Sequence, residues 1–229
     1  MIYKPDEVYK SPNFGYPKRG TKGRQGEKPI GVGVHISGGE WEGNKAWILN
    51  PKANASYNVL IKRDGTIAQF VDPSNAAWSH GAIKSPKWPL LRSGINPNIY
   101  TLSISRVGSD QRKWDPPQMD STVKVIKQWS KEYGFPAEWP HVFGHKHIDS
   151  VNRWYCPGDP FLNELYVRLA IEDTPEELPD ELPDELPEQT VWQVIAGSYR
   201  DKHTAEMVRG NLLRMGVTGV YLNPVMRPK

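Results

Sequence analysis

The chain has 229 residues, 38% hydrophobic and 10% aromatic, enough to bury a core and too apolar for a wholly disordered polypeptide. A mean hydropathy of -0.62, with no apolar run near ~18 residues, excludes a membrane-spanning helix; residues 1–20 lack the apolar stretch of a secretory leader, so cytoplasmic synthesis without a signal peptide is expected. The net charge of +3 is unevenly spread: +8 over residues 1–171, nine acids and no base from Glu172 to Glu188, and +4 over residues 190–229.

In chain order, Ile30–Ile36 reads as a short buried strand. Tyr57–Ile61 and Thr66–Val71, joined through Asp64-Gly65, read as a hairpin with a two-residue turn, since glycine tolerates the positive φ such turns need. Thr101–Val107 alternates as another strand. Asp115-Pro116-Pro117-Gln118 supplies an N-cap, a proline at N1 and a capping-box partner. The helix it opens runs to about Tyr133, stops at Gly134, and brings Val123, Ile126, Trp129 and Tyr133 near one face. Asp159-Pro160 opens a last helix through Leu162, Leu165 and Leu169.

Glu177–Glu188 repeats a four-residue unit, ELPD, whose prolines prevent a stable helix while like charges hold it open. Residues 172–189 are therefore expected to be an acidic, Pro-rich linker between a domain at 1–171 and a small β-α-β module at 190–229. The module has strands at Val191–Ala196 and Val217–Leu222 around a helix at Asp201–Met215. Two basic bodies joined by an acidic strap suit a polyanionic target, wall polymer or nucleic acid, unless the charges merely solvate the surface. The loop Lys18, Arg19, Lys22, Arg24, Lys28 is the basic feature a nucleic acid would use. It lacks aromatic-basic RNA motifs and zinc-finger spacing, so no nucleic-acid partner is expected. Its Gly and Lys content predicts a mobile segment.

Cys156 is the single cysteine, so no internal disulfide forms and the thiol is buried, reactive or a metal ligand. It stands in the turn Tyr155-Cys156-Pro157-Gly158. His145 lies eleven residues earlier, in Phe143-Gly144-His145-Lys146-His147, and His35 ends a strand in Val34-His35-Ile36-Ser37. Two imidazoles and a thiolate form a three-ligand set that leaves the fourth zinc position open, as in catalytic sites. Six histidines and one cysteine allow many such triples, and a buried thiol with surface histidines meets the same spacing.

VHISGG (Val34–Gly39), SYNVLIKRDGTIAQFVD (Ser56–Asp72), AAWSHG (Ala76–Gly81), NPNIYTLSI (Asn96–Ile104) and HVFGHKHID with CPG (His141–Gly158) occur in this order. Together, over about residues 10–170, they resemble the zinc-dependent N-acetylmuramoyl-L-alanine amidases, a family that includes phage endolysins and is related to peptidoglycan recognition proteins. The resemblance implies an α/β fold, a central mixed β-sheet flanked by helices. It implies Zn2+ held by His35, His145 and Cys156, with His141 the competing histidine and His147 behind the site or at the surface. The implied reaction is hydrolysis of the amide between the lactyl group of N-acetylmuramic acid and L-alanine. Tyr57 matches a tyrosine that steadies the oxyanion, and Arg153 is a second candidate for that role. Trp78 and His80 resemble a substrate-lining Trp-His region.

Two positions depart from the family. Many relatives carry a glutamate base where this chain has Ser105; others use a lysine where it has Trp154. Arg153 stays protonated and cannot be a base, and Glu40 is the remaining acid considered. Loss of the base is the argument for the alternative, a non-catalytic peptidoglycan-recognition protein on the same fold.

Val191–Gly216 resembles the first half of a SPOR domain, a peptidoglycan-binding module. An unpaired half leaves a strand edge open, so two chains are expected to pair their halves into a homodimer. The expected partner is peptidoglycan, acted on at the bacterial wall by a phage endolysin or an autolysin.

Overall fold

A six-stranded mixed sheet organises residues 4–170, the part of the chain described by the computed structural model. Its strands are β1 (Glu7–Val8), β2 (Val32–Ile36), β3 (Val59–Ile61), β4 (Ile67–Gln69), β5 (Leu102–Arg106) and β6 (Val142–Gly144). They lie in the order β1-β4-β3-β5-β2-β6. Only the β3–β4 pair is antiparallel; β2 runs parallel to both β5 and β6. Three helices accompany the sheet: α1 (Trp41–Leu49), α2 (Pro116–Tyr133) and α3 (Asp159–Ala170). Contacts group Met1–Tyr166 as one unit apart from Val167–Lys229. The expectations for the linker at 172–189 and the module at 190–229 lie outside the described residues.

Side chains alternate across a strand, so register assigns them to faces. Val32, Val34, Leu102, Ile104, Val59 and Ile61 share one face and are all fully buried. The Gln118 amide of α2 donates to the carbonyls of Ile61 and Val107 at 3.2 and 3.0 Å, tying that helix to the sheet. The other face carries Gly33, His35, Ser103, Ser105 and Leu60. Two apolar clusters flank its polar middle. One holds Trp88, Tyr100, Phe143 and Ile148; the other holds Ile48, Leu60, Phe70 and Val107. The metal-ligating candidate His35 therefore lies in a polar gap between two apolar supports.

The local signals behave as their chemistry requires. In α2 the backbone N–H of Asp115 donates to Gln118 Oε1 at 3.4 Å, Pro116 is the first helical residue, and Gly134 closes the helix at φ 76°. Its buried side is Met119, Thr122, Val125, Ile126 and Trp129; Val123 and Tyr133 are only half-buried, because the helix is rotated to aim Gln118 inward. The hairpin has a three-residue loop rather than the expected two. Lys62 and Thr66 are the closing pair, and only Gly65 has positive φ, at 89°, the signature of a type I turn ending in a bulge.

Helix α1 and strand β1 were not foreseen. Only Ile48 of α1 is buried and Trp47 is 56% exposed, so no apolar stripe marks the helix. The basic loop at 18–28 is anchored rather than loose. Arg24 is buried, and its guanidinium donates to the carbonyls of Pro73, Asn98, Ile99 and Thr101 at 2.7–3.2 Å. Arg19 bonds Asn13 and Asn54 and lies over the Trp78 ring, 4.7 Å from its centroid.

Candidate metal centre

His35 sits on β2, flanked in parallel register by Ser105 of β5. His145 follows directly from β6, which pairs with the other side of β2. Cys156 ends the loop after His145, and its Sγ receives the Ile36 N–H at 3.5 Å. The three side chains each bring a ligand atom to within 4.8 Å of the others. The two Nδ1 atoms are 3.1 Å apart. His141, the competing histidine, points elsewhere and bonds the Ile30 carbonyl at 2.6 Å.

The hydrogen bonds fix what these atoms can do. His145 Nε2 meets the His80 carbonyl at 2.9 Å, an acceptor, so that nitrogen carries the proton and Nδ1 presents its lone pair to the centre. Burial drives the His35 pKa well below its usual value, and its neighbours His145 and His80 add to the effect. Burial also lowers His145. It pushes the Cys156 thiol up to about 11, against the Ile36 amide and the Arg153 and Arg106 charges. Two neutral imidazoles and a thiol thus converge, and burial of the thiol outweighs the Arg153 and Arg106 charges that favour a thiolate. Nitrogens sharing one tetrahedral zinc stand about 3.3 Å apart, close to the spacing found, and a divalent cation would deprotonate the thiol outright. The donor set fits zinc.

The sequence pattern of the N-acetylmuramoyl-L-alanine amidase family matches residues 25–159, which include all three ligand candidates. The chain belongs to that family. Among solved structures, a crystal structure of a selenomethionine AmpD derivative is similar at TM-score 0.54 and 22% identity, covering 74% of this chain and 98% of that one. The solution structure of the PlyG catalytic domain gives 0.50 and 18%, with coverage of 74% and 99%. The N-acetylmuramoyl-L-alanine amidase LysC from Clostridium intestinale URNW gives 0.47 and 15%, with coverage of 72% and 99%. The first two are likenesses of fold. No curated protein matches the chain.

The remaining candidates of this amidase-family chain fall into two groups. Tyr57 and Arg153 are at the centre. The Tyr57 ring lies 5.1 Å from that of His35, and burial, with the Cys156 sulfur beside it, pushes its phenol up to about 12. Arg153 is exposed, and its charge bears on His35, His145, Tyr57 and Cys156 alike. Trp78 and His80 are placed differently from a simple groove wall. The His80 ring is only 1% exposed and bonds Thr101 Oγ1 at 2.8 Å, leaving it closed to substrate. Its carbonyl instead orients His145. Trp78 is half-buried, donates to the Gly15 carbonyl at 2.6 Å, and lines a cavity of about 250 Å³ with Tyr16, Asn54, Asn96 and Asn98.

His147 accepts the Gly144 N–H at 3.0 Å and is lowered by burial to about 4, so it braces the ligand loop. Glu40 is held by both ends of the Arg63 guanidinium at 2.7 and 3.0 Å, which depresses its pKa and makes it a poor base. Ser105 is fully buried, and its hydroxyl is close enough to the Tyr57 phenol to act on it.

Sequence reasoning missed Asp149. Its carboxylate accepts from the Val151 and Asn152 amides and from the Asn152 side chain at 2.7–3.1 Å, bracing the loop between His145 and Cys156. Burial pushes its pKa up, but these bonds bring it below the usual range. The Asp-x-x-Asn spacing was the available signal.

Gly33 makes room for the His80 ring: a Cβ there would stand 2.5 Å from that ring and 3.3 Å from Phe143. Gly33→Ala is expected to destabilise the fold by about 1–3 kcal/mol through overpacking. It should also weaken metal retention, because displacing the ring shifts His80, whose backbone carbonyl orients His145. Thermal melts alongside metal content per chain test this; a variant that melts and loads as wild type does would remove His80 from the support of the centre.

Proposed function

We propose that this chain hydrolyses the amide between the lactyl group of N-acetylmuramic acid and L-alanine in peptidoglycan, with zinc held by His35, His145 and Cys156. The convergence of those three ligand atoms, with the proton of His145 committed to the His80 carbonyl, is the observation that carries the reading. Zinc in such a set supplies Lewis acidity, acidifying water and polarising the carbonyl under attack.

The chain's own residues manage charge and protons around it. Tyr57 keeps its proton at neutral pH and donates a hydrogen bond to the carbonyl oxygen as negative charge develops there. Arg153 adds a fixed positive charge on the open side. Ser105 cannot hold a proton as a carboxylate does, and Glu40 is committed to Arg63, so neither serves as general base.

Tyr57→Phe is expected to lower kcat about 10²-fold, the cost of one oxyanion donor, with KM and metal content little changed. A variant with wild-type kcat would remove the phenol from the mechanism. The activity itself is tested by scoring free amino groups and reducing sugars released from purified wall. New L-alanine amino termini without new reducing ends, abolished by a chelator, are the expected result. Binding to wall with no release would instead establish a recognition protein.

We read residues 1–171 as the amidase domain, 172–189 as an acidic linker, and 190–229 as a wall-binding half-module that pairs between two chains. Light scattering of the full chain should report a dimer; a monomer at high concentration would overturn the pairing.

A further inference from the structure

The loop that joins His145 to Cys156 presents apolar side chains to solvent. Trp154 is 67% exposed and Val151 54% exposed, while Ile83 on the adjoining segment is 43% exposed. The two segments are joined edge to edge. Lys84 and Asp149 form a parallel bridge, the Ser150 amide donates to the Lys84 carbonyl at 3.0 Å, and the Ser150 hydroxyl donates to the Ser85 carbonyl at 2.6 Å. Asp149 holds the loop from within through its three accepted bonds, and the Cys156 amide donates to the Arg153 carbonyl at 2.9 Å. The indole is therefore held out by a braced loop, two residues from a ligand of the metal centre.

A large exposed aromatic on an ordered loop beside a reactive centre marks a contact surface. We propose that Trp154, with Val151 and Ile83, is a stacking platform for a sugar ring of the glycan strand beyond the ring that bears the scissile amide. It thereby sets a preference for polymeric wall over a free muramoyl peptide. The proposal rests on the amidase reading above and extends it to the form of the substrate.

The chemistry of the two ends of the site selects this occupant. The segment after Trp78 passes beneath the centre at His80, whose carbonyl holds His145, and emerges at Ile83. At its Trp78 end are asparagine amides and the Arg19 guanidinium, groups that suit carboxylate and amide oxygens of a stem peptide. At its Ile83 end the indole offers a flat apolar face, which matches the C–H face of a pyranose, and Lys84 and Arg153 stand alongside as donors to hydroxyl and acetamido oxygens. A glycan strand continues past the reacting residue, so a platform outside the centre meets another sugar, whereas a stem ends within a few residues.

The test compares wild type with Trp154→Ala on purified sacculi and on soluble N-acetylmuramoyl-L-alanyl-D-isoglutamine, which has one sugar ring. On sacculi, kcat/KM should fall about tenfold, equivalent to about 1.4 kcal/mol, while the soluble substrate changes by less than about twofold. Trp154→Phe should recover most of the loss, and the variant Trp47→Ala, at another exposed indole on α1, should match wild type on both substrates. Equal losses on both substrates, or none on either, would overturn the platform. So would lost binding to anionic phospholipid vesicles with sacculus turnover intact, which would assign the face to a membrane. Wild type inactive on both substrates would instead sink the amidase reading and leave the platform distinguishable by sacculus binding of the two proteins.

Discussion

Cys156→Ala is expected to reduce kcat/KM on peptidoglycan by about 10³-fold or more, ~4 kcal/mol of barrier, and to lower the zinc bound per chain in parallel. In the proposed set the thiol would be the lone anionic ligand, and removing it would leave two neutral imidazoles to hold a divalent cation. The fold should survive, because the sulfur takes a single long hydrogen bond from the Ile36 amide, at 3.5 Å. Circular dichroism and thermal melts would verify this before activity is compared. Wild-type turnover and metal content in this variant would exclude Cys156 from the centre. Activity lost with metal content unchanged would give the thiol a chemical role and the metal other ligands.

Arg24→Met carries the largest expected effect on stability. The Arg24 guanidinium is buried and is the donor to four backbone carbonyls, those of Pro73, Asn98, Ile99 and Thr101. Burial lowers its pKa to about 10, still far above neutral pH, so the side chain is charged where the protein works. Methionine has similar length but leaves those acceptors unpaired, at about 1–3 kcal/mol for each carbonyl that water cannot reach. A net loss of about 3–5 kcal/mol is expected, the range found when one partner of a buried charged network is removed. Lysine should restore little, since an ammonium lacks the planar fork that spans several carbonyls. Denaturant melts of Arg24→Met and Arg24→Lys check this; a shift below about 1 kcal/mol in Arg24→Met would mean water satisfies the carbonyls. The segment tied down in this way includes Thr101, which holds His80, so the same variant should also loosen the metal centre.

The anchoring of Arg24 shows why the loop at 18–28 misled a reading from sequence. Glycine and lysine content is a local property, whereas the acceptors of Arg24 lie 49–77 residues away. The same holds for His80. Its motif marks it as part of the site, but motif alone cannot say whether the imidazole or the carbonyl is used. The gap opened by Gly33 decides that in favour of the carbonyl. The convergence of the proposed ligands was more legible, because a single cysteine narrows the choice and the separated motifs of the family select between His141 and His145. Helix α1 left no trace in the pattern, since one buried residue in nine makes no stripe.

What the sequence determined by itself is the set of local structures whose causes are local. The proline at the start of α2, the Gln118 cap and the left-handed Gly134 delimit that helix through contacts within a few residues. The apolar runs that become β2 and β5 are likewise set by residue type, and the family motifs name the donors. Tertiary structure alone decided their convergence. His35 and His145 are 110 positions apart and meet because β6 and β5 pair in parallel on either side of β2. Tertiary packing also decided which nitrogen of His145 faces the centre, and that Trp154 is held outward. Each of these depends on which distant backbone group is within hydrogen-bonding reach, a quantity defined only once the sheet has assembled.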